Sequence, residues 1–228
     1  MIFCDEKYVP ACEVLGYNNH VQTAGRIHEQ AAWQHEAKAR VWSIIAAQKI
    51  RMQEQVMFQC VPDQAVSLQS YVESMSCGDA SNCEAQAAKV YFHRMFGRTF
   101  VRSQETTVNA ALNYGYAVLR SEISRILAAH GYHSALGIHH CSRVNPYNLS
   151  CDLMEPFRPV VDALVFRCRG MDFDFEMKKQ LIALPYQRIG YGDEIYSLSD
   201  AADIFCLDCF RCLKDSTAGI KELRIVEP

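Results

Sequence analysis

Long uncharged apolar runs are missing from this 228-residue chain. None approaches the roughly 18 residues that a helical membrane crossing needs, so no such span is expected. The amino terminus, MIFCDEKYVP, carries acids where a secretory signal carries basic residues and an apolar core. The chain is therefore read as cytoplasmic. Its eleven cysteines are odd in number and irregular in spacing, which argues for reduced thiols and against a disulfide framework. The familiar short motifs are also lacking: there is no Gly-x-x-x-x-Gly-Lys-Ser/Thr phosphate loop, no Gly-x-Ser-x-Gly, no His-Glu-x-x-His and no Glu-x-x-His pair. Phosphate-loop nucleotide hydrolysis, serine hydrolysis of the elbow type, zinc peptidase chemistry and the di-iron bundle lose their usual signatures. No internal repeat or low-complexity tract is present.

An overall excess of positive charge is lacking too, since the formal net charge is −3. The distribution is uneven, however. Residues 84–143 hold seven Lys/Arg (Lys89, Arg94, Arg98, Arg102, Arg120, Arg125, Arg143) against three acids, while both flanking segments are acidic. A local basic surface of this kind attracts a polyanion, or else forms a solvated helix face paired with nearby acids. Charge alone leaves both open.

With half its residues hydrophobic, the chain is long enough for one substantial core. The pattern is mainly α. Ile2–Val9 reads as one short strand, and turn formers follow. From about Ile27 to Phe58 apolar residues recur at helical spacing (Ala31, Trp42, Ile45, the stem of Lys49, Met52, Val56), with no Gly or Pro inside, so one long helix is expected. A shorter helix follows Pro62, from Asp63 to about Met75. Further helices are expected over about 81–96, 105–130, 149–169, 174–184 and 199–214. Pro156 and Pro159 should kink the third of these five or delay its start, and IGYGDE reads as a Gly-rich turn.

Several clusters carry chemistry on paper. Asp152 and Glu155, three apart, would share one face of a helix and could share a hard cation, with His140 adding an imidazole. The same spacing suits two acids in a first helical turn, with Arg158 pairing to Glu155. His139 and His140 are adjacent, so at most one faces a given site. Glu84 completes a Ser81-x-x-Glu84 capping box, which explains it without catalysis. Cys206, Cys209 and Cys212 lie three apart without a fourth partner and read as core cysteines on one helix face.

The blocks taken in order are more specific than their parts: Glu84-Ala-Gln-Ala-Ala-Lys-Val-Tyr-Phe to Phe96-Gly97, Asn113-Tyr114-Gly115-Tyr116, Leu136-Gly137-Ile138-His139-His140, and Leu149 to Pro159 with Asp152-Leu-Met-Glu155-Pro-Phe-Arg158-Pro. Together they resemble the CRISPR-associated Cas1 family, in a type II-like form, across nearly the whole chain. The resemblance implies the integrase, also called an endonuclease, of spacer acquisition in antiviral defence. It implies a helical catalytic domain (residues 21–228) whose Mg²⁺ or Mn²⁺ is held by Glu84, His140 and Glu155, with Asp152 as an accessory acid. A DNA 3′-hydroxyl would attack a phosphodiester there, and Arg94, Arg98, Arg102, Arg143 and Arg158 would hold phosphates of double-stranded DNA, both protospacer and CRISPR repeat. It also implies a homodimer that joins a Cas2 dimer in a heterohexamer. The family begins with a β domain, of which residues 1–20 would be a remnant and linker. The alternative is a truncated, catalytically incompetent helical DNA-binding or assembly module.

Overall fold

Two helices stand where one long helix is expected, and aromatic packing accounts for the break. The structure is a computed structural model that describes residues 2–4, 6, 10–13 and 23–226. α1 (Thr23–Ala31) and α2 (His35–Cys60) are separated at Ala32–Gln34. The Trp33 ring lies 6.0 Å from Phe210 and 6.1 Å from Tyr132, while Gln30 Nε2 donates to the carbonyl of His133 at 3.0 Å. Those contacts turn the chain at Trp33 although no Gly or Pro marks the spot.

Beyond α2 the expected helix over 63–75 shrinks to a 3₁₀ turn (Pro62–Gln64) and α3 (Gln69–Glu73). The cause is Glu54, whose carboxylate accepts from Ser67 Oγ at 2.6 Å and Leu68 N at 2.7 Å and pins the intervening loop to α2. α4 (Cys83–Phe96) and α5 (Thr107–Ala129) fall close to expectation, the latter capped by Thr106. α6 (Asn148–Met154) and α7 (Arg158–Arg167) are joined by a 3₁₀ turn, Glu155–Phe157. This is the kink that Pro156 and Pro159 impose, because neither has an N–H to continue the α-helical ladder. α8 (Phe175–Ile182) and α9 (Leu198–Lys214) complete the helices.

The strands differ most from expectation. At the amino end β1 (Ile2–Cys4) pairs antiparallel with β2 (Pro10–Glu13), Phe3 opposite Cys12, in place of one strand over 2–9. Residues 7–9, and residues 14–22 with the expected linker, lie outside the described residues. IGYGDE is not a bare turn but the centre of a hairpin, β3 (Arg188–Tyr191) and β4 (Glu194–Ser197), to which β5 (Leu223–Ile225) adds in the order β4-β3-β5. The two-residue Gly192-Asp193 turn is a hairpin signal, and Gly192 takes the positive φ of 60° that it requires. Gln48 in α2 clamps this sheet by donating to Lys221 O at 2.8 Å and accepting from Leu223 N at 3.1 Å.

The core surrounds α5, which packs against α6, α7, α8 and α9. α2 runs along the other side and meets α4, α7 and the Glu155–Phe157 turn. Cys206, Cys209 and Cys212 are buried in this core, and burial pushes all three thiols up, as expected of small apolar side chains. Gly115 marks a tight crossing, since a Cβ there would stand 2.4 Å from Val161 Cγ1. Among the described residues no helix is long and apolar enough to cross a membrane.

Candidate functional site

Asp152 organises the loop that leads into α6. Its side chain is fully buried, and its two oxygens accept four hydrogen bonds from residues 138–140. Oδ2 takes the backbone N–H groups of Ile138 (2.6 Å) and His139 (3.0 Å); Oδ1 takes His140 N (3.0 Å) and His140 Nδ1 (2.6 Å). The carboxylate thereby bends three consecutive peptides around itself. Gly137 makes the close approach possible, because a Cβ on it would stand 2.3 Å from His140 O and 2.9 Å from Asp152 Oδ2.

The adjacent histidines are sorted by two partners. His139 stacks flat on Trp42, with centroids 4.1 Å apart and an interplanar angle of 5°. His140 meets the same indole edge-on at 5.9 Å and turns its Nδ1 to Asp152. An ionised carboxylate accepts only, so Nδ1 carries a proton and Nε2 is the nitrogen left for another partner. The Asp152 hydrogen bond raises the His140 pKa, burial opposes it, and the charges of Asp152 and Glu155 add to the rise.

Glu84 does not form the expected capping box. The amino end of α4 is capped by Asp79, whose Oδ1 accepts Cys83 N at 2.7 Å and whose Oδ2 accepts Glu84 N at 3.0 Å, while Asn82 takes φ 55°. Released from capping, the Glu84 side chain reaches across to α2 and accepts from Lys49 Nζ. Glu155, 5% exposed, brings Oε2 to 2.5 Å from the same ammonium, and Arg158 Nε stands 2.8 Å from its Oε1. Burial opposes ionisation of Glu155, but Lys49 and then Arg158 outweigh it and hold the carboxyl below its usual value. Two carboxylates from separate elements thus converge on one cation.

Lys49 is the residue that sequence reading missed, having been counted only for its stem in an apolar helical phase with Ile45, Met52 and Val56. The signal was there: a lysine at a buried phase must find a counter-charge. Asp152 and Glu155, for which spacing left open a shared cation or a first-turn pair with Arg158 on Glu155, have different partners. Asp152 holds the histidine loop and Glu155 faces Lys49.

Of the expected phosphate-binding arginines, Arg94, Arg98 and Arg143 are exposed. Arg102 donates to Asn113 Oδ1 at 2.7 Å and also to Asn109, and its guanidinium lies 5.3 Å from the Tyr116 ring. Arg158 lies 4.6 Å from the same ring. Both line a cavity of about 570 Å³ that also includes Arg120, Lys178 and Tyr114. Beneath it the Tyr116 hydroxyl donates to buried Asp162 at 2.5 Å, and burial lifts that carboxyl to about 6.

Among the described residues no three His, Cys, Asp or Glu side chains stand close enough to enclose a metal between them. The donor chemistry nevertheless suits a hard divalent cation. Glu84 and Glu155 already address one positive centre, and a third donor, His140, has its far nitrogen fixed by a carboxylate as metal-binding imidazoles usually do. Lys49 would have to yield.

The profile of a family described as CRISPR associated protein Cas1 matches residues 1–180. Among curated proteins, the chain is 38% identical over 166 residues to the CRISPR-associated endonuclease Cas1 of Neisseria meningitidis serogroup C (strain 8013), covering 72% of this chain and 55% of that protein. It is 25% identical over 190 residues to the CRISPR-associated endonuclease Cas1 1 of Francisella tularensis subsp. novicida (strain U112), covering 74% and 60%. The chain therefore spans little more than half the length of these relatives. Among solved structures it resembles a casposase bound to integration product (TM-score 0.72, 15% identity, 94% of this chain and 76% of that one). It also resembles a Cas1 protein from Thermotoga maritima (TM-score 0.67, 15% identity, 93% of this chain and 77% of that one), and a chain of a Cas6-RT-Cas1–Cas2 complex (TM-score 0.66, 14%, 94% and 28%). At these identities the structural likeness is one of fold.

Proposed function

The chain belongs to the CRISPR-associated Cas1 family, and from that premise we propose that it is a metal-dependent DNA endonuclease and integrase that inserts spacers into a CRISPR array. The observation that carries the reading is the convergence of Glu84 and Glu155, from α4 and the α6–α7 kink, on a single cationic point. The Glu155 charge is felt at His140, whose ring is fixed by Asp152.

Glu84, Glu155 and His140 Nε2 would hold Mg²⁺ or Mn²⁺, which when bound supplies Lewis-acid polarisation of a phosphodiester and activation of the attacking 3′-hydroxyl. The chain's own residues do the rest. Asp152 keeps Nδ1 protonated and so aims Nε2. Trp42 fixes the plane of His139 and the edge of His140. Arg158 neutralises the Glu155 oxygen turned away from Lys49. Exposed Arg94, Arg98 and Arg143, with Arg102 at the mouth of its cavity, contact phosphates of double-stranded DNA, which gives salt-dependent affinity without base choice.

Residues 21–228 form the catalytic unit in this reading, with the β1–β2 hairpin as an appendage beside α5. Assembly as a homodimer with a Cas2 dimer is part of the same proposal, in which the fold neighbour from a Cas6-RT-Cas1–Cas2 complex supports Cas2 as the partner.

The test is strand transfer and branched-DNA cleavage with Mn²⁺ and with EDTA. Wild type should act only with metal, while Glu84→Ala and His140→Ala lose transfer and keep duplex binding. Metal-dependent transfer retained by both variants contradicts the assignment. Intact DNA binding by wild type without any metal-dependent cleavage points instead to a non-catalytic binding module.

A further inference from the structure

The Lys49 ammonium occupies the point on which both site carboxylates converge, and its charge can be followed through the site. Its side chain is 11% exposed, on a helical phase otherwise given to Ile45, Met52 and Val56, and it touches Glu84 and Glu155 together. Glu155 has a second cation, Arg158, on its other oxygen. The two carboxylates are matched by one ammonium and one guanidinium, while the neighbouring Asp152 charge is taken up by His140 and three backbone N–H groups.

A divalent cation added to that cluster leaves an excess of two positive charges in a poorly solvated place. Like charges at such separations repel strongly when little water screens them. One of the two resident cations must therefore leave. Arg158 is the harder to move, because its guanidinium also lies 4.6 Å from the Tyr116 ring at the wall of the cavity. Lys49 carries a compact ammonium on a flexible four-carbon stem, and both of the hydrogen bonds described for it go to the carboxylates a metal would claim. Withdrawal of Lys49 leaves one excess positive charge, which a single phosphodiester neutralises.

We infer that Lys49 is a displaceable internal counter-cation, which competes with the divalent metal for Glu84 and Glu155 and so couples metal loading to the arrival of a DNA phosphate. This rests on the metal-site reading above. The ammonium keeps two carboxylates together that would otherwise repel, and it lowers metal affinity until a phosphate offers the retracting lysine a new partner. A purely structural ion pair makes the opposite forecast: removing Lys49 lets the carboxylates splay and weakens metal binding.

The test is calorimetric titration of Mn²⁺ into EDTA-stripped, dialysed full chain for wild type, Lys49→Met, Lys49→Arg and Glu155→Gln, each without and with a short DNA duplex. Removing a unit charge at hydrogen-bond distance from the ligands should tighten Mn²⁺ binding at least about tenfold in Lys49→Met. Lys49→Arg should not tighten it. Duplex should strengthen Mn²⁺ binding in wild type and much less in Lys49→Met, since the coupling passes through the lysine. Amine labelling of wild type, read by mass spectrometry, gives an independent measurement should Lys49→Met fail to fold. Lys49 should be protected in EDTA and become reactive with Mn²⁺.

Equal or weaker Mn²⁺ binding by folded Lys49→Met, or unchanged labelling of Lys49, overturns the inference while the metal site stands, provided Glu155→Gln has lost the binding seen in wild type. No Mn²⁺ binding by any of these proteins overturns the metal-site reading and the inference with it.

Discussion

His140 Nδ1 lies 2.6 Å from Asp152 Oδ1, and that contact separates two adjacent histidines, since His139 instead stacks on Trp42. The same carboxylate accepts three backbone N–H groups, so ring orientation and loop conformation depend on one buried charge.

Asp152→Asn should therefore loosen both. An amide keeps one acceptor oxygen but loses the charge, and hydrogen bonds to a charged group are worth about 1.5–3 kcal/mol each, so a loss of about 2 kcal/mol or more is expected. The pH dependence has a definite sign. A raised His140 pKa stabilises the fold fully below the unfolded-state value of 6.5, and the contribution is lost as pH rises through the higher folded value. Denaturant melts across that range should show the slope in wild type and not in Asp152→Asn, and NMR titration should show the His140 pKa falling in the variant.

Gly137→Ala should damage the same loop through volume alone. Its Cβ would stand 2.3 Å from a backbone oxygen, which cannot move without displacing His140. The expected cost is about 1–3 kcal/mol. Gly219→Ala, with nothing within 4 Å of the added carbon, is the control and should stay within about 0.5 kcal/mol of wild type. Urea unfolding of the two variants measures the contrast.

Tyr116→Phe should leave Asp162 buried without its hydroxyl donor, at a cost of about 1–3 kcal/mol. Burial has raised this carboxyl from 3.8 to about 6, so the folded state binds the proton more tightly than the unfolded chain. Stability from this group accordingly falls as pH rises from 3.8 to about 6 and stays low above it. Losing the hydroxyl should raise the Asp162 pKa further and extend the falling limb to higher pH, which thermal melts over a pH series would reveal.

The helices were largely legible because each is amphipathic over several turns: α4, α5 and α9 begin and end within two residues of the periodicity. The break at Trp33 was not, since it comes from rings more than 90 residues away in sequence. The β3–β4 hairpin hid behind Gly190 and Gly192, which leave only Ile189, Tyr191 and Tyr196 to mark the buried face, with Ile195 exposed on the other. At the site, local spacing left Glu84 as a cap and Asp152 with Glu155 as a matched pair. Resemblance to the family singled out Glu84, His140 and Glu155 together, and tertiary packing then supplied what no local pattern contained. Asp79 caps α4 in place of Ser81, Asp152 turns inward to the backbone, and Lys49 reaches both glutamates from a helix read only for its apolar face.

The central claim is that Glu84, His140 and Glu155 together bind a divalent metal. Its most direct test is anomalous diffraction at the manganese edge from crystals grown with Mn²⁺ and a DNA duplex. The account predicts one strong peak within coordination distance of a Glu84 oxygen, a Glu155 oxygen and His140 Nε2, with the Lys49 ammonium withdrawn from between the carboxylates. Manganese bound elsewhere, or Lys49 still bridging Glu84 and Glu155 in fully loaded crystals, would contradict it.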